Sequence, residues 1–364
     1  MRFTEENFSR LRLLRTPHVG SVTFSKLIKK YGSAQKAILS FDEIQKVLRR
    51  KPELASPDCI EKEIKATEQL GGQFIFWDHE NYPFEKKLDP YLPPVLVVCG
   101  DTNLLLKPRV AIVGARNASF HGNRLAFTMA KELGQSGLTV VSGFARGIDA
   151  AAHKGSIDTG TIAVLGTGLG RIYPDIHKTL FSEIREKGLL ISHFSYDTGP
   201  QVQNFPVRNR LIAALVEGVV VIEAAFQSGS LTTAEQAGEY GKEVFSVPGS
   251  PLDPRCRGSN KLIREGATLV ESALDVLEGL NPQLWHAHRQ KNQRTQKTHV
   301  QKGSLDVSKV LEQLSAVPVS VDDLAEKLEM PIHHLSSILT KLEIDEKVEA
   351  HQGNRVSLVL QGQF

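Results

Sequence analysis

Between residues 110 and 247 the sequence repeats one pattern, which opens with Val110-Ala111-Ile112-Val113 and closes with Val244-Phe245-Ser246-Val247. Short runs of valine and isoleucine alternate there with segments of helical periodicity. Buried parallel strands have this composition because helices cover both faces of such a sheet. The predicted strands are 110–113, 139–141, 161–165, 189–191, 218–222 and 244–247. Right-handed crossovers then give a Rossmann-like, doubly wound α/β fold with a mostly parallel sheet.

The segments between these strands predict helices at about 123–136, 148–156, 175–187 and 231–240. After the strand at 189–191 we predict a loop at Phe205–Arg210, followed by a helix that ends near residue 216. Upstream of residue 110 the pattern predicts a helix at 61–70 and strands at 74–77 and 95–98.

The two ends of the chain predict two further domains. Helices at 6–15 and 21–31 flank a turn at 16–20, which resembles a helix-hairpin-helix (SAM-like) unit, although His18 stands where its first glycine is expected. A small helical bundle used only for packing is the alternative. Three short helices and a hairpin at the other end predict a winged helix. The predicted boundaries are 1–65 for the helical domain, 66–280 for the extended Rossmann-like domain, 281–303 for a basic flexible linker and 304–364 for the winged-helix-like domain.

Size and composition indicate a soluble globular protein of two or three domains. The chain has 364 residues, of which 41% are hydrophobic and 23% charged. It has no apolar run long enough for a membrane span, and its first residues lack the apolar segment of a secretory signal. Cys59, Cys99 and Cys256 are far apart and form no metal pattern. We therefore expect free thiols and a cytoplasmic location.

Charge is distributed unevenly along the chain. Residues 1–51 carry twelve Lys/Arg against four Asp/Glu, a net charge of +8, and residues 281–303 carry +5. Residues 52–280 and 304–364 each carry −5, so the whole chain carries +3. A polyanion is attracted to the two basic segments without sequence specificity. A merely solvated surface is the alternative for the short basic linker.

Unusual segments rich in glycine and polar residues follow three of the predicted strands. They are 114–119, 142–147 and 228–230. In an open α/β sheet ligands bind at the carboxyl ends of the strands. Glycine lets an anion approach the backbone, and the helix that follows offers free amides. A row of such helix starts suits a polynucleotide better than one small molecule.

Four arginines and one phenylalanine in these loops add to this prediction. Arg116, Arg146, Arg208 and Arg210 offer charge-assisted contacts to phosphate. Phe205 offers a stacking face to an unpaired base, worth about 1–3 kcal/mol per base. A surface ion pair is the plainer interpretation of any one arginine. Four of them in loops at one sheet edge favour a phosphate path.

Signals for catalysis are weak. The segment 166–170 has glycines spaced G-x-G-x-G rather than G-x-G-x-x-G, which favours a tight turn over a dinucleotide site. Asp149 and His153 are four residues apart on a predicted helix, and a structural hydrogen bond is favoured for them. The sequence has no P-loop, no His-Glu-x-x-His motif and no cysteine cluster. We therefore predict no enzymatic activity, no catalytic residues, no cofactor and no metal.

The motifs within 110–270 resemble, in order, those of the DprA/Smf family of DNA-processing proteins. The matching segments are 111–116, 142–153, 162–166, 173–174, 205–210, 221–224, 228–234, 247–249 and 258–260. Two positions depart from the family pattern, and the segment around 158–161 is about one residue shorter than in the family. Ser192-His193-Phe194 stands where the family usually has Ser-Glu-aromatic, and Gly241-Lys242 replaces Gly-Arg.

The resemblance implies a protein that binds single-stranded DNA without strong sequence preference. It implies that the protein assists loading of RecA recombinase onto that strand, in natural transformation and homologous recombination, and forms a homodimer through the Rossmann domain. Carried onto the matching positions, the strand-binding residues are Gly114, Arg116, Ser142, Gly143, Arg146, Arg208, Asn209, Arg210, Ser228 and Gly229. We add Phe205 for its aromatic face.

Two other functions remain as alternatives. The segment 228–235 loosely resembles the Pro-Gly-Gly-x-Gly-Thr-x-x-Glu motif of nucleoside-monophosphate phosphoribohydrolases, which implies a catalytic Glu235, but the paired glycines are missing. Residues 304–364 suggest a sequence-specific transcription regulator. Their predicted recognition helix at 331–343 has Lys341, two histidines and no arginine, so we expect this domain to contact protein rather than duplex DNA.

Overall fold

The computed structural model describes residues 3–47, 53–84, 90–280, 304–345 and 347–359. They form two compact units, one before and one after residues 281–303 in the sequence. The predicted linker at 281–303 lies outside the described residues. Within the described ranges, no helix is long and apolar enough to cross a membrane.

The described part of the first unit begins with five helices: α1 (Glu5–Arg15), α2 (Ser21–Tyr31), α3 (Ala34–Leu39), α4 (Phe41–Val47) and α5 (Pro57–Gln69). The Thr4 hydroxyl accepts a hydrogen bond from Asn7 N–H and starts α1. His18, in the turn between α1 and α2, has a φ of 66°. The residue in place of the expected glycine therefore adopts the left-handed backbone that glycine favours.

The N-terminal helices pack against β1 (Gly72–Phe76) and the residues that follow it. Trp77 lies edge-on to Phe24, with 5.4 Å between ring centroids, and the Arg10 Cζ lies 4.1 Å from its ring centroid. Arg15 forms a buried ion pair with Glu63 of α5, with 2.8 Å between Nη2 and Oε1. These contacts make the helices and the sheet one unit.

A nine-stranded sheet forms the centre of this unit. After β1 come β2 (Val95–Gly100), β3 (Arg109–Gly114), β4 (Thr139–Ser142), β5 (Thr161–Val164), β6 (Leu189–Ser192), β7 (Gly218–Ile222), β8 (Glu243–Ser246) and β9 (Thr268–Leu269). The strand order is β1-β2-β6-β5-β4-β3-β7-β8-β9. Neighbours from β6 to β9 are parallel, whereas β1 and β2 form an antiparallel edge. The predicted mostly parallel, doubly wound sheet is confirmed.

Helices cover both faces of the sheet. They are α6 (Phe120–Gln135), α7 (Ile148–Ser156), α8 (Lys178–Lys187), α9 (Asn204–Leu215), α10 (Gly229–Glu239), α11 (Arg257–Arg264) and α12 (Ala273–Leu280). Alternate strand residues enter different cores, so that Val113 packs with Leu211 of α9 while Ile112 packs with Met129 of α6. This two-sided burial explains why the strands read as uninterrupted apolar runs.

The structure differs from the sequence prediction in two places. The predicted loop at Phe205–Arg210 is wrong, because these residues form the first turns of α9. Pro206 is the third residue of α9, where its missing N–H removes no hydrogen bond of the helix. The elements α11, β9 and α12 were not predicted. β9 has only two residues, and both are exposed.

In the second unit, the described residues form three helices, α13 (Ser304–Gln313), α14 (Val321–Lys327) and α15 (Ile332–Ile344), and three strands, β10 (Val319–Ser320), β11 (Val348–His351) and β12 (Arg355–Leu358). The strands form an antiparallel sheet in the order β10-β12-β11. Buried residues such as Leu324, Leu335 and Val356 give this unit its own core. The predicted winged-helix arrangement is confirmed.

Candidate nucleic-acid interface

The candidate site lies where the strand order reverses. From β3 the chain proceeds through β4, β5 and β6 on one side, then returns to place β7 on the other side of β3. Such a reversal opens a crevice at the carboxyl ends of the strands. Two adjoining pockets of about 430 and 360 Å³ lie there and share Arg116, Ala145, Phe205 and Arg208 in their linings. We call them together the groove.

Gly114 is the last residue of β3 and pairs with Ile222 of β7. A Cβ at Gly114 would overlap the carbonyl oxygen of Ile222, so no larger residue fits without moving the strands. The following residue, Ala115, is buried, whereas Arg116 is exposed in the groove. Close strand packing thus places the first arginine of the groove.

Next to this turn, the N-terminus of α6 already holds an anion from the protein itself. The Glu223 carboxylate accepts hydrogen bonds from Ser119 N–H at 2.8 Å and from the Ser119 hydroxyl. Glu223 has a φ of 49°, so its backbone is left-handed at the end of β7. The N-terminus of α6, one of the helix starts predicted to bind phosphate, is therefore already occupied by the Glu223 carboxylate.

The loop after β4 is fixed by Asp149 of α7. Its Oδ2 accepts hydrogen bonds from the N–H groups of Gly143, at 3.1 Å, and Ala145, at 3.2 Å. A Cβ at Gly143 would overlap the Arg208 guanidinium. Glycine at this position therefore lets α9 bring Arg208 against the loop.

Arg208 and Asp149 form a buried ion pair, with 3.9 Å between Nη1 and Oδ2. Their side chains are 6% and 7% exposed. Burial lowers the pKa of Arg208 to about 10, against the opposing effect of Asp149. Burial also raises the pKa of Asp149, while Arg208 and the two amide donors act against that rise. Arg208 is therefore positively charged at neutral pH, although its side chain is buried beside the groove and shielded from water.

Phe205 lies close to two guanidinium groups. The Cζ atoms of Arg116 and Arg208 lie 5.4 and 5.8 Å from its ring centroid. The Tyr173 ring is 6.1 Å away, and Phe205 itself is only half-buried. An aromatic face bordered by cations suits a nucleobase joined to phosphates.

The far wall of the groove is the start of α10. The Ser228 hydroxyl accepts a hydrogen bond from Ser230 N–H at 3.3 Å, and Asn209 Nδ2 donates to the Gly229 carbonyl at 3.0 Å. Asn209 therefore ties α9 to α10 and sets the width of the groove.

Most residues predicted for strand binding come together in the groove. Its lining includes Gly114, Arg116, Gly143, Arg146, Phe205, Arg208, Asn209, Ser228 and Gly229. Ser142 is fully buried and donates its hydroxyl hydrogen bond to the Ile112 carbonyl at 2.6 Å. Arg210 lies on another face of α9, where its Nη2 is 3.7 Å from Glu239 Oε2.

Sequence reasoning missed the main role of Asp149. The expected structural hydrogen bond between Asp149 and His153 is replaced by other contacts, since Asp149 meets Arg208 and His153 Nδ1 lies 2.7 Å from the Thr161 hydroxyl. Tyr173 was also missed, although it lies in a segment that matches the family. Within the described ranges, no cluster of His, Cys, Asp or Glu is arranged to hold a metal ion.

Comparison with known proteins gives the family. The sequence model of the protein family described as DNA recombination-mediator protein A matches residues 73–281. The chain belongs to the DprA/Smf family. The DprA-like N-terminal HHH domain matches residues 4–66, and the DprA winged helix domain matches residues 301–354.

Individual DprA/Smf proteins resemble the chain over most of its length. Protein Smf of Escherichia coli is 35% identical over 302 residues, which cover 82% of this chain and 81% of that protein. DNA processing protein DprA of Bacillus subtilis is 43% identical over 55% of this chain and 69% of its own length.

Two solved structures share the fold. The X-ray structure of DprA from Streptococcus pneumoniae aligns with a TM-score of 0.62 and 31% identity, covering 77% of this chain and 99% of that one. A structure of DNA processing protein A from Helicobacter pylori, described for its single-stranded DNA binding mode, aligns with a TM-score of 0.52 and 31% identity, covering 57% and 95% of the two chains.

Proposed function

We propose that this chain binds single-stranded DNA in the groove, without strong sequence preference, and assists loading of RecA onto that strand in natural transformation and homologous recombination. Membership of the DprA/Smf family and the single-stranded DNA binding described for the Helicobacter pylori relative support the proposal. The observation that carries it is the half-buried ring of Phe205, with the guanidinium groups of Arg116 and Arg208 both within 6 Å of its centroid.

This arrangement accounts for binding without sequence preference. Guanidinium groups contact phosphates, which are the same in every sequence. An aromatic ring accepts any base because every base has a π face. Stacking requires an unpaired base, so a single strand is the expected ligand.

The proposed strand-binding set is the nine groove residues, with Arg210 added from another face of α9. Ser142 belongs to the same proposal, as the residue that holds the end of β4 against β3. A homodimer through the Rossmann domain and contact with RecA are further parts of the proposal. We propose no catalytic role: Glu235, the residue that a phosphoribohydrolase would need, is exposed on α10 and does not line the groove.

Fluorescence anisotropy with a labelled single strand and the matching duplex, over a salt series, tests the groove. We expect tighter binding of the single strand. Arg116→Ala should weaken it for all sequences alike and reduce the slope of log K against log salt by about 0.7, the value for one lost phosphate contact.

Arg185→Ala is the matched control. Arg185 is an exposed arginine in the last turn of α8. This helix leads into the amino end of β6, whereas the groove lies at the carboxyl ends of the strands. The same loss of affinity in both variants, or no loss in Arg116→Ala, would contradict the groove as the binding site.

A further inference from the structure

A further pocket, of about 510 Å³, lies on the face of α9 that carries Arg210. We call it the α2–α9 pocket, because residues 20–23 at the start of α2 form one wall and Pro206, Val207 and Arg210 of α9 form another. A proline-rich segment at residues 90–95 and Gln236 of α10 complete the lining. One helix thus separates this pocket from the groove.

The start of α2 presents unsatisfied backbone donors to this pocket. The first N–H groups of a helix have no partner within the helix. Gly20 is the N-cap residue and has no side chain to accept a hydrogen bond from them. Ser21, Val22 and Thr23 line the pocket, so their amides and the positive end of the helix dipole are available to an anion there.

A buried side chain in the same lining points independently to a ligand. Gln236 is only 7% exposed, and its Oε1 has no hydrogen-bond partner among the described residues. The buried Nδ1 of His193 is also without a partner in this part of the chain. Buried polar atoms are normally paired. A ligand with a hydrogen-bond donor, such as the N3–H of thymine, would donate to the unpaired Oε1 of Gln236.

The charge of the lining favours an anion. Its charged side chains in the described ranges are Arg15 and Arg210, and it contains no carboxylate. Arg15 is held by Glu63, whereas Arg210 has the exposed Glu239 at 3.7 Å, a weak surface pair, and the Tyr91 ring, whose centroid lies 5.4 Å from the Arg210 Cζ. His193 stands where the family usually has glutamate, so this chain has no negative charge at that position.

We propose that the α2–α9 pocket binds one further nucleotide of the DNA strand that occupies the groove. The phosphate contacts the start of α2 and Arg210, and the base enters the apolar part of the pocket beside Gln236. This inference rests on the proposed function. The strand crosses α9, whose diameter is about 10 Å, a distance that one or two nucleotides span.

Val22→Glu tests the pocket without endangering the fold. Val22 is 43% exposed in the first turn of α2, where a carboxylate stabilises the helix while it occupies the anion site. Val22→Gln is the neutral control of similar size. Oligothymidylates of about 4 and about 16 nucleotides serve as probes, since these lengths are the two ends of the usual range of site sizes and fill one site or both.

We expect Val22→Glu to bind the long strand about tenfold more weakly than Val22→Gln does and to bind the short strand equally well. Arg210→Ala should show the same length dependence and a salt slope reduced by about 0.7 for the long strand alone. Equal affinity of Val22→Glu and Val22→Gln for the long strand, or equal losses for both lengths, would overturn the pocket.

The groove variant separates this failure from failure of the proposed function. If Arg116→Ala weakens both strands while Val22→Glu weakens neither, the pocket alone is wrong. If Arg116→Ala leaves both affinities unchanged, the groove and its continuation into the pocket are both wrong.

Discussion

Arg208 is a buried cation, and among the described residues Asp149 is the carboxylate within ion-pair distance of it. Its Nε has no hydrogen-bond partner in that part of the chain. Cations in such surroundings normally need compensation from a neighbouring charge. The groove therefore holds Arg208 in a state that depends on one side chain of α7.

Removal of that carboxylate should be costly. We expect Asp149→Ala to lower the free energy of unfolding by about 3–5 kcal/mol, because it leaves Arg208 buried and unpaired and the amides of Gly143 and Ala145 without their acceptor. Urea denaturation followed by circular dichroism measures the change.

The exposed pair Lys187–Asp158 provides the control. Its side chains are 55% and 78% exposed, so Asp158→Ala should change stability little. A similar cost for both variants would show that the buried pair has no special role.

At the scale of elements, α6 is a helix whose positive N-terminal end interacts with a carboxylate of the same chain. Glu223 supplies the anion that a phosphate would otherwise supply at its N-terminus. We expect Glu223→Ala to lower the free energy of unfolding by about 1–2 kcal/mol, since the charge and its hydrogen bonds to Ser119 are lost.

The emptied site should then bind an added anion. Sulfate should raise the melting temperature of Glu223→Ala more than that of the unaltered protein at equal ionic strength. Equal responses to sulfate would contradict the role of Glu223 as an internal substitute for phosphate.

Elements with a strong pattern could be predicted from the sequence. The strands β3 to β8 were found because burial on both faces leaves a visible run of apolar residues. The start of α9 was not found, because Pro206 and the polar residues around it resemble a loop when read alone. Tertiary contacts, such as that of Asn209 with Gly229, fix this segment as helix.

The sequence predicts which segments form the site, but it does not predict how their side chains are oriented relative to one another. Placement of Gly114, Gly143 and Ser228 at one edge followed from the alternation of strands and helices. The division between Arg208 and Arg210 did not follow, since it depends on their being two residues apart on a helix, about 200° around its axis. A residue read as part of a loop has no defined face.

At the scale of the whole molecule, the two units differ in the charged groups and pockets that they offer to a polyanion. Residues 304–364 carry a net charge of −5, and the exposed positions of α15 include no arginine. The groove and the α2–α9 pocket both lie in the first unit.

Deletion of residues 304–364 should therefore change single-strand affinity by less than about threefold, well below the effect of losing several phosphate contacts. Anisotropy with the same labelled strand measures this. A loss as large as that of Arg116→Ala would assign strand binding to the winged helix as well.

Trp77 gives the first unit an optical label of its own. The chain has two tryptophans, and replacement of Trp285 by phenylalanine leaves Trp77 as the sole indole. Its ring is bordered by Arg10 of α1 and Phe24 of α2, while its backbone continues β1. Its emission wavelength therefore reports whether the N-terminal helices remain seated on the sheet, which turns a packing contact into a fluorescence signal that can be followed in real time.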